Sequence, residues 1–139
     1  MRRNQQLSDL YNFFCEAVGN QHVAIEKING YLEKFLLQRI LEVGLGIGSI
    51  SGILLRVNRN KPNLDYAGTE ANDFCLNALP KNLKEDYNRL GIYSDLNNIP
   101  SNKKFDLIII DGKNHHLQAV KDLISENGIL AIEGDRMSQ

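Results

Sequence analysis

Apolar residues recur at helical spacing over the first part of the chain. Ser8 can cap a helix in which Leu10 and Phe13 begin an apolar face. A second apolar stripe predicts a helix over residues 22–38. Its members are Ile25, Ile28, Leu32, Phe35 and Leu36. Residues 1–38 are therefore predicted to form N-terminal helices.

The pattern changes after these helices into short apolar runs separated by amphipathic stretches. The runs predict buried strands over residues 39–43, 64–69, 91–94, 105–110 and 129–133. The stretches between them predict helices over residues 48–60, 72–79, 81–90 and 114–126. Asn72 can cap the second of these helices and Pro80 is expected to end it, while Gly128 is expected to stop the last.

The alternation of strands and helices predicts the class of fold. Strands separated by helices need crossover connections, and these connections give a parallel sheet. The continuous apolar run over residues 107–110 suits a strand that is covered by helices on both faces of the sheet. No repeat, low-complexity tract or charge run marks a linker. The sequence therefore predicts one α/β domain over residues 1–139, with its sheet in residues 39–139.

Composition excludes several classes of protein. A chain of 139 residues suffices for one domain. Lys and Arg number 16 against 17 Asp and Glu, which argues against nucleic acid as a partner. No apolar run approaches the about 18–20 residues that span a bilayer, so no membrane association is expected. Cys15 and Cys75 form no CxxC pair, which excludes a zinc cage and fits a reducing cytoplasm, where we expect the protein.

A glycine-rich loop joins the first predicted strand to the next helix. Gly44, Gly46 and Gly48 alternate along it, and glycine lets the backbone turn sharply and lets a ligand approach without interference from a Cβ atom. The helix start that follows exposes unpaired N–H groups. Glu70 ends the second predicted strand, where a carboxylate can accept hydrogen bonds from ribose hydroxyls. The loop and the carboxylate together predict a site for a ligand that contains a ribose.

The spacing of the glycines distinguishes between ligands. A dinucleotide loop of the form G-x-G-x-x-G that started at Gly44 would need a third glycine where Ser49 stands, whereas Gly48 comes one position early. Glu42 precedes the loop, and its carboxylate would repel a diphosphate but tolerate a cation. A positively charged ligand with a ribose is therefore favoured. A dinucleotide, or a Glu42 that only pairs locally, remains an alternative.

The segment from Glu42 to Gly48 resembles motif I of the class I S-adenosylmethionine-dependent methyltransferases, E/D-x-G-x-G-x-G. Residues 68–70 resemble the second motif of that family, in which the acidic residue holds the ribose, and residues 94–95 resemble the position that holds the adenine edge. The resemblance implies a Rossmann-like sheet of strand order 3-2-1-4-5 and S-adenosylmethionine as the cofactor. The binding residues that it implies are Glu42, Gly44, Gly46, Gly48, Glu70, Ser94, Asp95 and Asp111.

The segment after the fourth predicted strand resembles the I-D-G-x-H loop of a small-molecule O-methyltransferase branch. Here Asn114 occupies the position expected for the histidine, and His115 follows it. This resemblance implies methyl transfer to a small-molecule acceptor at oxygen, with Asp111 and His115 as catalytic residues. An alcohol acceptor needs a base, and a predicted helix start at His115 disfavours the imidazolium, so that a neutral imidazole could act there.

Some members of that branch use a metal ion. Asp111, Glu133 and Asp135 would offer the carboxylate oxygens that Mg²⁺ prefers. In the branch the fifth strand continues as I-E-D, whereas here Gly134 separates the two carboxylates. A magnesium site at these three residues is therefore an alternative and not a requirement.

The family's sheet continues beyond a fifth strand, whereas this sequence ends soon after residues 129–133. An apolar edge strand invites pairing with another chain. We therefore expect a homodimer or another partner that covers the fifth strand, or a sequence truncated from a longer protein. Two functions remain open: a small-molecule methyltransferase, and a non-catalytic domain that binds S-adenosylmethionine and acts through a partner.

Overall fold

The sheet has five parallel strands. A computed structural model describes residues 21–111 and 117–133. Its strands are β1 (Arg39–Val43), β2 (Asp65–Thr69), β3 (Leu90–Tyr93), β4 (Phe105–Asp111) and β5 (Ile124–Glu133). They lie in the order β3-β2-β1-β4-β5, and every neighbouring pair is parallel. The predicted Rossmann-like class and strand order are confirmed. Within the described residues β5 pairs with β4 alone, so a partner that covers β5 stays a prediction.

Helices connect the strands. They are α1 (Gln21–Lys34), α2 (Ser51–Val57), α3 (Asp73–Leu83) and α4 (Leu117–Val120), with 3₁₀ helices at Lys84–Arg89 and Leu96–Asn98. The helix predicted from Ser8 lies outside the described residues. Among the helices that the structure describes, none is long and apolar enough to cross a membrane.

Alternate strand residues face opposite sides of the sheet and build two cores. One core packs α1, α2 and α3 against the sheet; its fully buried side chains include Ile28, Ile40, Leu54, Tyr66, Leu79 and Leu107. The other lies under α4 and the second 3₁₀ helix and contains Leu41, Ala67, Ile99, Ile108, Val120 and Leu123. Because both faces are covered, the strands read as nearly continuous apolar runs. Because helices cover both faces of the sheet, the ends of the strands remain as the places where a ligand can bind.

The helix predicted over residues 114–126 is wrong at its end. Helix α4 stops at Val120, and Ile124 already pairs with Phe105 of β4. The register then shifts, so that Leu107 pairs with Ile129 and the residues between bulge out of β5. Gly128 lies in this bulge, where an added Cβ atom would stand 2.4 Å from Cγ1 of Ile124. The glycine therefore permits a strand bulge and does not stop a helix.

The prediction that Pro80 ends a helix is also wrong. Asn72 caps α3 as predicted, its Oδ1 accepting a hydrogen bond from the amide of Cys75 at 3.1 Å. The helix then continues past Pro80, because Leu79 and Leu83, one turn apart, are both buried against the loop before α2. Tertiary packing of the two leucines outweighs the hydrogen bond that the proline cannot make.

Helix α1 ends earlier than the predicted residue 38. The amide of Leu37 donates to the carbonyl of Leu32 at 3.1 Å, and Leu36 between them has a φ of 53°. This is a Schellman-type helix ending, in which the side chains of Leu32 and Leu37 pack together. Leu36 belongs to the predicted apolar stripe, but its side chain is 81% exposed because the left-handed residue turns it outward.

An ion pair between a half-exposed arginine and a buried aspartate holds the first 3₁₀ helix to the turn that follows α2. The Nε and Nη2 atoms of Arg59 donate to the carboxylate of Asp86 at 3.0 and 2.9 Å. These hydrogen bonds, reinforced by the charge of the guanidinium, hold the pKa of Asp86 below its ordinary value even though burial opposes this. The stabilisation is therefore complete above the ordinary aspartate pKa of about 4 and is lost as the pH falls through the lower folded-state pKa.

Asp86→Asn is expected to lower the free energy of unfolding by about 1–2 kcal/mol at neutral pH, because Arg59 keeps a half-exposed position and recovers part of its hydration. In urea titrations the difference in the free energy of unfolding between the variant and the wild type should narrow below about pH 4, where Asp86 is protonated in the unfolded chain. The control is Glu85→Gln, which removes a 70% exposed carboxylate that lies 3.5 Å from the same guanidinium. A gap that persists unchanged at low pH would contradict the ionic role.

Candidate functional site

The carboxyl ends of β1, β2 and β3 meet at one edge of the sheet, where ligands bind in open α/β folds. The amide of Leu45 donates to the carbonyl of Thr69 at 2.8 Å, and the amide of Glu70 donates to the carbonyl of Tyr93 at 2.9 Å. The hydroxyl of Thr69 accepts from the amide of Gly44 at 3.0 Å. These bonds join the three strand ends into one rigid rim.

All three positions of the alternating glycines require glycine, but for different reasons. Gly44, Gly46 and Gly48 have φ angles of 86°, 60° and 95°, a region that is costly for residues with a side chain. A Cβ atom on Gly44 or Gly46 would meet nothing within 4 Å, so their outer side is open to a ligand. A Cβ atom on Gly48 would lie 2.5 Å from Cδ1 of Leu83. Gly48 therefore serves the packing of α3, whereas Gly44 and Gly46 face open space.

Glu70 lies at the centre of this edge and is bound to the glycine loop. Its Oε1 accepts from the amide of Gly46 at 2.8 Å, and its Oε2 accepts from the amide of Asn72 at 3.1 Å. The carboxylate thus links the end of β2 to both the loop and the start of α3. Each carboxylate oxygen has a second lone pair with which it can accept a hydroxyl.

An open cavity of about 190 Å³ lies beside Glu70. It is lined by Val43, Gly44, Thr69, Glu70, Ala71, Ser94, Asp95 and Leu96. Asp95 caps the second 3₁₀ helix, its Oδ1 accepting from the amide of Asn97 at 2.6 Å, and the hydroxyl of Ser94 bonds to Asn98. Four of the predicted binding residues, Gly44, Glu70, Ser94 and Asp95, therefore share one cavity whose walls are held in place.

Glu42 does not line this cavity. Its side chain is buried in β1, and the hydroxyl of Tyr66 donates to its Oε1 at 2.8 Å. Thr69 lies inside the segment that resembles the second motif, but no motif in the sequence marks Tyr66. The signal for Tyr66 is the strand alternation, because parallel pairing of residues 39–43 with 65–69 places Tyr66 and Glu42 on the same face of adjacent strands.

Only some of the remaining predicted site residues, at the ends of β4 and β5, belong to the described part of the chain. Asp111 and Glu133 are register partners at the same edge of the sheet, and the structure describes their backbone. His115 and Asp135 lie outside the described residues. In residues 21–111 and 117–133 no group of three His, Cys, Asp or Glu side chains could hold a metal ion. The side chains of Asp111, Glu133 and Asp135 lie outside the described part of the structure, so the magnesium site at these residues stays a prediction.

Solved methyltransferases share this fold. A proposed caffeoyl-CoA O-methyltransferase from Staphylococcus aureus superposes with a TM-score of 0.65 at 19% identity, covering 78% of this chain and 55% of that one. A proposed methyltransferase from Thermoplasma acidophilum superposes with a TM-score of 0.57 at 23% identity, covering 67% of this chain and 42% of that one. A glycopeptide N-methyltransferase solved with S-adenosylhomocysteine superposes with a TM-score of 0.56 at 16% identity, covering 76% of this chain and 46% of that one.

The chain spans about half the length of these proteins. Its sequence matches no protein-family model and no curated protein sequence. At these low identities the similarity shows the fold alone, a five-stranded parallel sheet that this chain shares with these methyltransferases.

Proposed function

We propose that this chain binds S-adenosylmethionine at the carboxyl edge of β1, β2 and β3 and transfers its methyl group to a small-molecule acceptor, at oxygen. The observation that carries the proposal is the hydrogen bond between Glu70 and the amide of Gly46. It brings an acceptor for ribose hydroxyls directly against a glycine loop whose outer side is open.

The residues at this edge fit an adenosyl group. The cavity beside Ser94 and Asp95 would hold the base, and Glu70 would accept the ribose hydroxyls. A volume of about 190 Å³ is below the roughly 300–1,000 Å³ of complete small-molecule pockets, so only part of the cofactor would occupy it. The methionine part would lie over Gly44 and Gly46, where no Cβ atom obstructs it.

The hydrogen bonds of the loop argue against a dinucleotide. A pyrophosphate is bound by unpaired loop and helix N–H groups. Here the amides of Gly44, Gly46 and Gly48 already donate to the Thr69 hydroxyl, the Glu70 carboxylate and the Leu45 carbonyl. An approaching diphosphate would meet the carboxylate of Glu70 in place of these donors. A cationic sulfonium would be attracted to the same charge.

The acceptor would bind beside the end of β4. When bound, the cofactor supplies a methyl group that its sulfonium already activates, so alignment of the acceptor and exclusion of water supply much of the catalysis. The cofactor would supply the methyl group for the new bond to the acceptor oxygen, with its thioether as the leaving group. His115 would take the hydroxyl proton, and Asp111 at the end of β4 would position the acceptor.

Calorimetry tests the ligand class directly. S-adenosylmethionine and S-adenosylhomocysteine are expected to bind, and NAD is not. Binding of NAD without binding of either adenosyl compound would overturn the proposal.

Transfer of a labelled methyl group to hydroxylated small molecules tests the reaction. His115→Ala is expected to lose transfer to oxygen while it retains the calorimetric affinity for S-adenosylhomocysteine. Binding without transfer to any acceptor would instead favour a non-catalytic domain that binds S-adenosylmethionine.

A further inference from the structure

The end of helix α1 carries an exposed leucine in a strained backbone conformation. Leu36 has a φ of 53°, a left-handed conformation that glycine adopts at lower cost at helix ends. Its side chain is 81% exposed, so its apolar surface stays in water. Leucine is therefore unfavourable here on both counts within residues 21–111 and 117–133, which points to a contact made outside this part of the chain.

A groove that can accept a leucine side chain lies directly beside Leu36. Its volume is about 250 Å³, and its walls include Leu36 itself, the buried side chains of Leu32, Leu37 and Leu64, and the exposed Pro62. Removing one buried leucine side chain leaves a cavity on the order of 150 Å³, which is smaller than this groove. The groove lies before the first residues of β1 and β2, at the edge of the sheet opposite Glu70.

The rim of the groove carries one cation and one anion, which pair with each other within the chain. The Nζ of Lys61 lies 3.2 Å from Oε2 of Glu33, and the two side chains are 32% and 61% exposed. A rim that presents one cation and one anion can face itself across a two-fold axis, with each Lys61 near the other copy's Glu33. An exposed apolar side chain and a matching groove on one patch are the two halves of an isologous contact.

We propose that two copies of this chain associate through this patch, with Leu36 of each copy seated in the groove of the other. The contact is small, so the pair is weak and reversible. It leaves the opposite edge of the sheet open. Association is therefore independent of the cofactor site, and a failure of either proposal leaves the other standing.

Sedimentation velocity from micromolar to millimolar concentrations tests the proposal. The wild-type chain is expected to shift from monomer to dimer, and Leu36→Asp is expected to weaken association at least about tenfold by placing a charge in an apolar groove. Val57→Asp changes another exposed apolar residue, on α2, and should dimerise like the wild type. A wild-type chain that stays monomeric, or a Leu36→Asp variant that dimerises equally well, overturns the proposal.

Leu36→Gly separates the contact from the fold. It removes the side chain but suits the left-handed backbone, so it should abolish the dimer while the melting temperature of the dilute monomer stays the same or rises. If Leu36→Gly and Leu36→Asp both lower the monomer's melting temperature, another segment of the same chain covers the groove. That outcome also overturns the proposal.

Discussion

Gly68→Ala is expected to lower the free energy of unfolding by about 2–3 kcal/mol, the upper part of the range for overpacking a filled core. The new Cβ atom would lie 2.4 Å from both Cγ and Cδ2 of Leu45, which is 98% buried and cannot swing into solvent. Leu45 stands between Gly44 and Gly46, so its displacement should also weaken cofactor binding. Urea unfolding measures the first effect and calorimetry with S-adenosylhomocysteine measures the second.

Gly91→Ala is the matched control for this change. Gly91 lies in the adjacent strand β3, and an added Cβ atom would make ordinary contacts at 3.8 Å with Ala67 and the Tyr66 carbonyl. The substitution should be neutral or stabilise by up to about 1 kcal/mol, because alanine restricts the unfolded chain more than glycine does. Equal losses at Gly68 and Gly91 would show that Leu45 is not the cause.

Glu70→Ala is expected to weaken S-adenosylhomocysteine binding by about 10–100-fold, which corresponds to about 1.5–3 kcal/mol for hydrogen bonds to a charged group. The change removes the carboxylate that would accept the ribose hydroxyls. It also frees the amides of Gly46 and Asn72, which loosens the loop over which the ligand would lie. Calorimetry on the folded variant measures the loss.

Glu70→Gln and Glu33→Gln serve as controls for this prediction. Glutamine at position 70 keeps one acceptor oxygen for the amide of Gly46. The loss of ligand affinity in Glu70→Gln should therefore lie between those of wild type and Glu70→Ala, and it should report mainly the removal of the charge. Glu33 is 61% exposed and lies near the opposite edge of the sheet, so its replacement should not change the affinity. An unchanged affinity in Glu70→Ala would contradict the role given to Glu70.

The sequence carries the parts of the site that depend on local chemistry. Gly44, Gly46 and Gly48 are marked by their alternation, because each needs a positive φ that other residues rarely adopt. Glu70 is marked by its place at the end of a predicted strand, and the parallel order of the strands brings it to the loop. These features follow from short stretches of chain and from rules of connection, so they could be predicted.

Features that depend on pairing between distant segments could not be predicted. The segment Ile124–Glu126, with one apolar and two polar residues, fits the end of a helix or the start of a strand equally well, and the pairing of Ile124 with Phe105 decides for the strand. Pro80 is a local signal for the end of a helix, but the packing of Leu79 and Leu83 outweighs it and the helix continues. Tyr66 reaches Glu42 only through the register of two strands.

The central claim is that an adenosyl cofactor binds where the ends of β1, β2 and β3 meet. Titration of S-adenosylhomocysteine into isotope-labelled protein, followed by amide chemical shifts in solution NMR, tests it residue by residue. We expect the largest shift changes at Gly44, Gly46, Glu70 and Asp95, because these residues border the open loop and the cavity. Changes confined to other surfaces, or none at saturating ligand, would contradict the account.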